Sequence, residues 1–194
     1  MKAILRLVLL GFALALAGCS NIQQLIGSNE PKKIEAPAGK AVVMLTLTWT
    51  ALDNDSARVA LVLRGPHGEQ MLSGKDGDVV LSPNGPSVSG KRFLLTLVPG
   101  QYQLMNLQGS WQTDEGGRSR QQPVWLPLGQ TFSVQAGDVV YIGNVNVALD
   151  FKPSATVSNQ AGRDFYDLVM SKSANELSNI QVQLPQGGSL PYGS

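Results

Sequence analysis

His67 is the only histidine in the chain, so imidazole-based catalysis or metal binding would have to start there. It sits in Gly65-Pro66-His67-Gly68, where Pro and Gly mark a tight turn with a polar residue at its tip. A zinc centre needs several His or Cys ligands, and this chain has one of each. A Ser-His-Asp site needs a serine and an acid near His67 in space, and no nucleophile elbow marks such a serine. A hydrolase built on His67 is therefore the weakest functional class. Asp53-Asn54-Asp55 begins like a calcium loop, but Ala57 and Arg58 stand where an EF-hand needs another oxygen ligand and a glycine. Asp76-Gly77-Asp78 is equally short, and both stretches read as turns. Gly116-Gly117 with Arg118 and Arg120 offers cations and bare backbone to a phosphate, yet lacks the Walker pattern and a following helix. It reads as a solvated loop. Three tryptophans remain. Trp49 belongs to an apolar alternation and reads as core, whereas Trp111 and Trp125 flank a polar connection and are the candidate ligand or partner contacts. No catalytic set and no cofactor or metal site is expected.

Cys19 is the only thiol. It follows Lys2 and Arg6, an apolar run from Leu7 to Leu16, and the small residues Ala17 and Gly18. The apolar run is shorter than the roughly 20 residues a membrane-spanning helix needs, and it ends as cleavable signals do. Leu16-Ala17-Gly18-Cys19 resembles a bacterial lipoprotein signal, with Leu16, Ala17 and Gly18 as the cleavage motif. The resemblance implies cleavage before Cys19 and lipid, palmitate included, on the new N-terminal cysteine. Ser20 follows, and an Asp there usually retains Gram-negative lipoproteins at the inner membrane. The resemblance therefore implies anchoring at the cell outer membrane, facing the periplasm.

Cleavage there leaves 176 of the 194 residues, enough for one domain with a real core. It also removes Lys2 and Arg6, leaving 13 basic and 14 acidic residues. A net side-chain charge near zero provides no field to attract nucleic acid. With the lone cysteine acylated, no intrachain disulfide can form, so stability must come from packing. Gly at 21 residues and Pro at 11 imply many turns and an all-β chain.

The elements that must position these residues follow in order. Residues 19–40 read as a lipidated N-terminus and flexible tether, with Pro31, Pro37 and Gly39 among small and polar residues. Ala41 to Trp49 alternates, with Val43, Leu45, Leu47 and Trp49 on one face and Met44, Thr46 and Thr48 on the other. Further strands are expected at Arg58 to Arg64, Gln70 to Leu72, Val79 to Leu81, Arg92 to Val98 and Tyr102 to Leu107. A polar connection spans Thr113 to Gln122, with Gly116-Gly117 at its tip. Val124 to Leu128 lies among prolines and suits an edge strand or extended loop. Strands at Thr131 to Val134 and Val139 to Leu149 complete the sheet region, with Tyr141, Val145, Val147 and Leu149 sharing one parity. The period then changes. Phe165, Leu168 and Val169 lie at i, i+3 and i+4, one apolar helical face, with Ser158 or Asn159 as cap and an end before Asn175. Ile180 to Leu184 alternates as a last strand, and 185–194 reads as a disordered tail.

Two short motifs stand together within this pattern: Leu97-Val98-Pro99-Gly100-Gln101-Tyr102-Gln103-Leu104, and Phe132 to Gly143 with its Gly137-Asp138-Val139-Val140-Tyr141. They resemble the strand starts of transthyretin-like and carboxypeptidase-regulatory-like β-sandwich modules, including those of uncharacterised bacterial outer-membrane lipoproteins. Gly100-Gln101-Tyr102 is also similar to the tyrosine corner of immunoglobulin-like sandwiches, where the ring is buried and the hydroxyl bonds nearby backbone. The resemblance implies a mainly β chain: a single antiparallel β-sandwich, transthyretin-like or Ig-like, over residues 41–184, with one short C-terminal helix, after a signal peptide at 1–18. It says almost nothing about activity. The expected role is a non-enzymatic envelope lipoprotein held to the membrane by lipid on Cys19, with an envelope protein as partner. The alternatives are a carbohydrate- or peptidoglycan-binding module using Trp111 and Trp125, and an accessory lipoprotein of a secretion system.

Overall fold

The computed structural model describes residues 32–52, 54–115 and 118–187. The signal, Cys19, most of the expected tether and the final residues lie outside the described residues. The described body, which begins at Lys32, is mainly β, with ten strands and one short helix. In chain order the strands are β1 (Ala41–Ala51), β2 (Arg58–Gly65), β3 (Gly68–Gly74), β4 (Val79–Val80), β5 (Val88–Leu97), β6 (Gly100–Glu115), β7 (Arg118–Val134), β8 (Val139–Leu149), β9 (Ser154–Ser158) and β10 (Gln181–Val182). The helix α1 (Ala161–Met170) lies between β9 and β10. Among the described residues, no helix is long and apolar enough to cross a membrane.

Two sheets divide these strands. The smaller is antiparallel, in the order β3-β2-β6-β7; the larger runs β10-β8-β1-β5-β4, with β9 also paired to β8. The larger sheet is not wholly antiparallel as expected. β8 runs parallel to both β1 and β10, because the segments joining them to β8 cross over before they pair. One apolar core takes the alternate residues of both sheets: Val43, Leu45, Leu47 and Trp49 from β1 meet Val59, Leu61 and Leu63 from β2 and Leu104, Leu107 and Trp111 from β6. Period-two alternation selected the β1 and β2 members of that set correctly.

Its complement on β1 is also buried. Val42, Met44, Thr46 and Thr48 point away from the main core, yet none exceeds 6% exposure. A second, smaller cluster explains part of this. Val42, Met44, Val139 and Tyr141 on the outer face of the larger sheet pack under Leu168 of α1 and under Ala174 and Ile180. Ile34 and Ala36 pack there too, and Asn179 Nδ2 donates to the Ile34 carbonyl at 2.7 Å. Residues 32–40, read from sequence as tether, therefore line the body before joining β1.

Four other expectations change. Tyr141 does not share a face with Val145, Val147 and Leu149. Opposite Leu45 alone stand Ile142 and Gly143, a bulge that shifts the register between Met44↔Tyr141 and Thr46↔Asn144 and reverses the parity of β8. Within the expected connection, residues 113–115 continue β6 and residues 118–122 begin β7, paired as far as Glu115↔Arg118, and β7 is one strand from Arg118 to Val134. It is an edge strand, as its prolines require. The buried face of α1 is Asp164, Asp167 and Leu168, and Val169 is exposed. Asn159 accepts from the Ala161 N–H at 3.0 Å, and the helix closes at Met170. Finally, the last strand shrinks to Gln181–Val182. Gln186 then exchanges two 2.8 Å backbone bonds with Thr131 of β7, so the C-terminal segment joins the edges of both sheets.

The corner before β6 matches the expectation from sequence. Tyr102 is 5% exposed, its hydroxyl donates to the Val98 carbonyl at 2.8 Å, and its ring stacks on Phe132 at 5.5 Å. Burial pushes its phenol above the ordinary value.

Candidate functional site

The strand directions divide the body into two ends. β1 and β8 both run from the end where residues 32–40 arrive toward an end holding the β1–β2 turn, the β8–β9 turn and the tip of the β6–β7 hairpin. At this second end Ala51↔Leu149 is the last rung, and the chain leaves it through Leu52 on one side and Phe151 on the other. Leu52 is 62% exposed and Phe151 83%. Phe151 meets Trp111 edge to face, ring centroids 5.7 Å apart. The pair is half core and half surface, because Trp111 is buried at 2% exposure. Such a pair fixes the β8–β9 turn against β6 while leaving one aromatic ring in water.

Beside these residues the hairpin projects. β2 pairs with β6 only as far as Arg58↔Ser110, whereas β6 and β7 continue for five further rungs, from Trp111↔Gln122 to Glu115↔Arg118. At about 3.4 Å per residue, the two-stranded arm extends on the order of 17 Å beyond its sheet neighbour. The Gln112 N–H donates to Ser56 Oγ at 2.9 Å, and Gln121 Nε2 donates to Ser110 Oγ at 2.8 Å, fixing its base. An arm, an exposed phenylalanine and an exposed leucine at one end form a surface that an apolar partner patch can cover.

The residues singled out from sequence do not all converge there. Leu16, Ala17, Gly18 and Cys19 lie outside the described residues, as do Asp53, Gly116 and Gly117. Trp111 is a core residue, so it cannot share a ligand platform with Trp125. Gln108, not Trp111, is opposite Trp125, and the odd offset puts the two indoles on opposite faces of the sheet. Trp125 is 51% exposed on the outer face of the smaller sheet. His67 is exposed at the other end of the body, on the rim of a cleft of about 320 Å³ with Lys40, Glu69 and Tyr102. Among the described residues lining that cleft there is no serine or cysteine. Asn54 and Asp78 act within their turns, accepting from the Ala51 and Lys75 N–H groups.

Sequence reasoning missed the polar network under α1. Asp164 is fully buried; its carboxylate accepts from the Tyr141 hydroxyl and pairs with Arg163. Burial, reinforced by the Asp164 charge, holds the Tyr141 phenol far above its ordinary range. Asp167 pairs with Arg92 of β5 and accepts from the Leu81 N–H at 2.9 Å. Arg92 also donates to Ser171 and Ser173. A visible signal existed: Asp164 and Asp167 share the i, i+3, i+4 face of Leu168. The apolar count alone discarded it. The network clamps the helix across β8, β5 and β4, and its charges face each other instead of a cavity. Among the described residues, no three His, Cys, Asp or Glu side chains gather as metal ligands would.

Compared with family models, curated proteins and solved structures, the chain shows no match.

Proposed function

We propose that this chain is a membrane-tethered, non-enzymatic envelope lipoprotein whose β-sandwich, transthyretin-like or Ig-like, docks another envelope protein through its arm-bearing end. The carrying observation is the polarity of the body. Leu52, Phe151 and the β6–β7 arm lie at the end opposite the one where residues 32–40 feed into β1. A lipid on Cys19 would therefore be joined to the body through its near end and leave the far end free for a partner. Tethering supplies effective concentration for a partner in the same envelope, so a modest contact area suffices. An exposed aromatic held by a core aromatic is a preorganised anchor for such a contact.

Photocrosslinkers placed at Leu52 and Phe151 of the full chain in cells test this. The expected result is one discrete protein adduct, lost in Phe151→Ser with no change in melting temperature. Adducts from the Gln121 face of β7 and none from Phe151 would overturn the assignment. Anchoring has its own test. Cys19→Ser is expected to abolish fatty-acid labelling and membrane fractionation, and retained labelling would contradict the lipid assignment.

A further inference from the structure

The outer face of the smaller sheet carries a second feature, independent of the docking end. One row crosses all four strands: Ser73 of β3, Ala60 of β2, Gln108 of β6 and Trp125 of β7 are consecutive cross-strand partners. All four point away from the core, since their strand neighbours Leu72, Leu61, Leu107 and Leu126 pack into it. The row is uneven in height. Ala60, Ser73 and Ser110 are short and form a floor, while Arg58, Lys75 and Gln108 border it, leaving an open trough of about 400 Å³. Trp125 flanks the trough on the β7 side, directly opposite Gln108, where Cβ atoms of paired residues lie within roughly 5.5 Å.

A single exposed tryptophan needs no explanation. One standing beside a mainly apolar trough, whose lining also carries the Gln108 amide and the Ser73 and Ser110 hydroxyls, has a chemical meaning. The flat indole presents apolar area to the C–H face of a ring. Gln108 offers both a donor and an acceptor, Ser73 offers a hydroxyl, and Ser110, whose Oγ accepts from Gln121, retains its O–H as a donor, groups that suit a ligand bearing hydroxyls. Lys75 and Arg58 are the charged residues lining the trough, Arg58 with its Nη1 donating to the Ala57 carbonyl at 2.8 Å, and no carboxylate lines it with them. That arrangement favours a ligand with its own carboxylate. An extended peptide is a poorer fit. It is recognised by adding hydrogen bonds to an open strand edge, and β2 and β6, which run under the trough, are paired on both sides.

We infer that the outer face of the smaller sheet binds a carboxylate-bearing saccharide, with one ring stacked on Trp125 and the acid group held at the Arg58–Lys75 end. This site does not depend on the docking role of Leu52 and Phe151.

The test titrates the full chain, in detergent, with oligogalacturonate, a neutral cello-oligosaccharide of equal length, and an oligoglutamate peptide. Tryptophan emission is the readout. Trp49 and Trp111 are buried, so ligand-dependent change reports Trp125. Oligogalacturonate is expected to shift the emission to shorter wavelength and saturate, and the neutral oligomer to bind more weakly. Raising salt should narrow the difference. Trp125→Ala is expected to weaken binding roughly tenfold, measured by calorimetry, and Trp125→Tyr to restore most of it. Lys75→Gln is expected to weaken oligogalacturonate by about threefold and leave the neutral oligomer unchanged. Saturable binding of oligoglutamate alone would assign the trough to acidic peptide and overturn the saccharide. Binding unaffected by Trp125→Ala, or absent for both saccharides, would also overturn it.

Discussion

Tyr102 is held at its corner in two ways: ring burial against Phe132 and a hydroxyl bond to the Val98 carbonyl. The two can be separated. Tyr102→Phe keeps the ring and leaves the carbonyl without its donor, an expected loss of about 1–3 kcal/mol. Tyr102→Ala also empties the site, an expected loss of about 3–5 kcal/mol. Denaturant melts check both, and an unmoved midpoint for the alanine variant would refute the corner. Gly65 belongs to the same unit, because a Cβ there would overlap the Tyr102 ring. Tyr141 carries a pH signature. In the unfolded chain its phenol ionises near its ordinary value of about 10. In the fold, burial and Asp164 hold it higher. The unfolded state therefore releases a proton that the folded state keeps, and stability falls as pH rises past about 10 while staying level below it. Tyr141→Phe should flatten that alkaline fall, and should lower stability at neutral pH by about 1–3 kcal/mol because the Asp164 carboxylate loses a donor. An unchanged alkaline slope in this variant would remove Tyr141 as its source.

Element geometry depends on the β8 bulge. Gly143 has φ of 102°, and a Cβ there would approach the Ser158 carbonyl oxygen at 2.8 Å and Leu184 Cδ2 at 2.9 Å. Gly143→Ala is expected to destabilise by about 2–4 kcal/mol, combining a strained backbone with overpacking. Thermal melting checks it. The bulge has a larger consequence than its local strain. By reversing parity it sends Tyr141 toward α1 while Ile142 and Val145 stay in the main core. The helix then needs a polar clamp, since two carboxylates lie on its buried face. Arg92→Ala leaves Asp167 buried without its guanidinium, an expected loss of about 3–5 kcal/mol. Near-wild-type stability in urea would show that the Leu81 N–H satisfies Asp167 unaided.

The whole body begins at Lys32, not at Ala41. Ile34 and Ala36 pack on the outer cluster, and Lys33 forms a parallel backbone β-bridge with Glu176. A fragment of residues 32–187 is expected to fold with a mainly β circular dichroism spectrum and a minor helical part. Removing residues 32–38 from it should cost about 1–3 kcal/mol, because partly buried apolar area and the Ile34–Asn179 bond are lost. Equal stability of the two fragments would return that stretch to the tether. The same molecule-wide view separates its surfaces: the arm-bearing end, the outer trough of the smaller sheet and the helix-covered face of the larger one.

Local pattern was legible wherever one residue's environment follows from its neighbours in the chain. Alternation along β1 and β2, the Pro-Gly corner with Tyr102, the edge position of the proline-flanked strand and the presence of one helix were all readable from sequence. Cys19 and the residues before it carry their reading in sequence alone. What tertiary structure decided was which polar residues are buried and which aromatics are not. Trp111 and Trp125 looked alike from sequence, yet strand register buries one and exposes the other. Asp164 and Asp167 share the Leu168 face of the helix, and only tertiary structure brought Tyr141, Arg92 and Arg163 to meet them. One added residue at Gly143 reversed a face, and period-two counting cannot register a bulge. The physical reason is common to these cases. Burial of a charge or an indole depends on partners distant in the chain, and those partners meet only when two sheets and a helix close over one another.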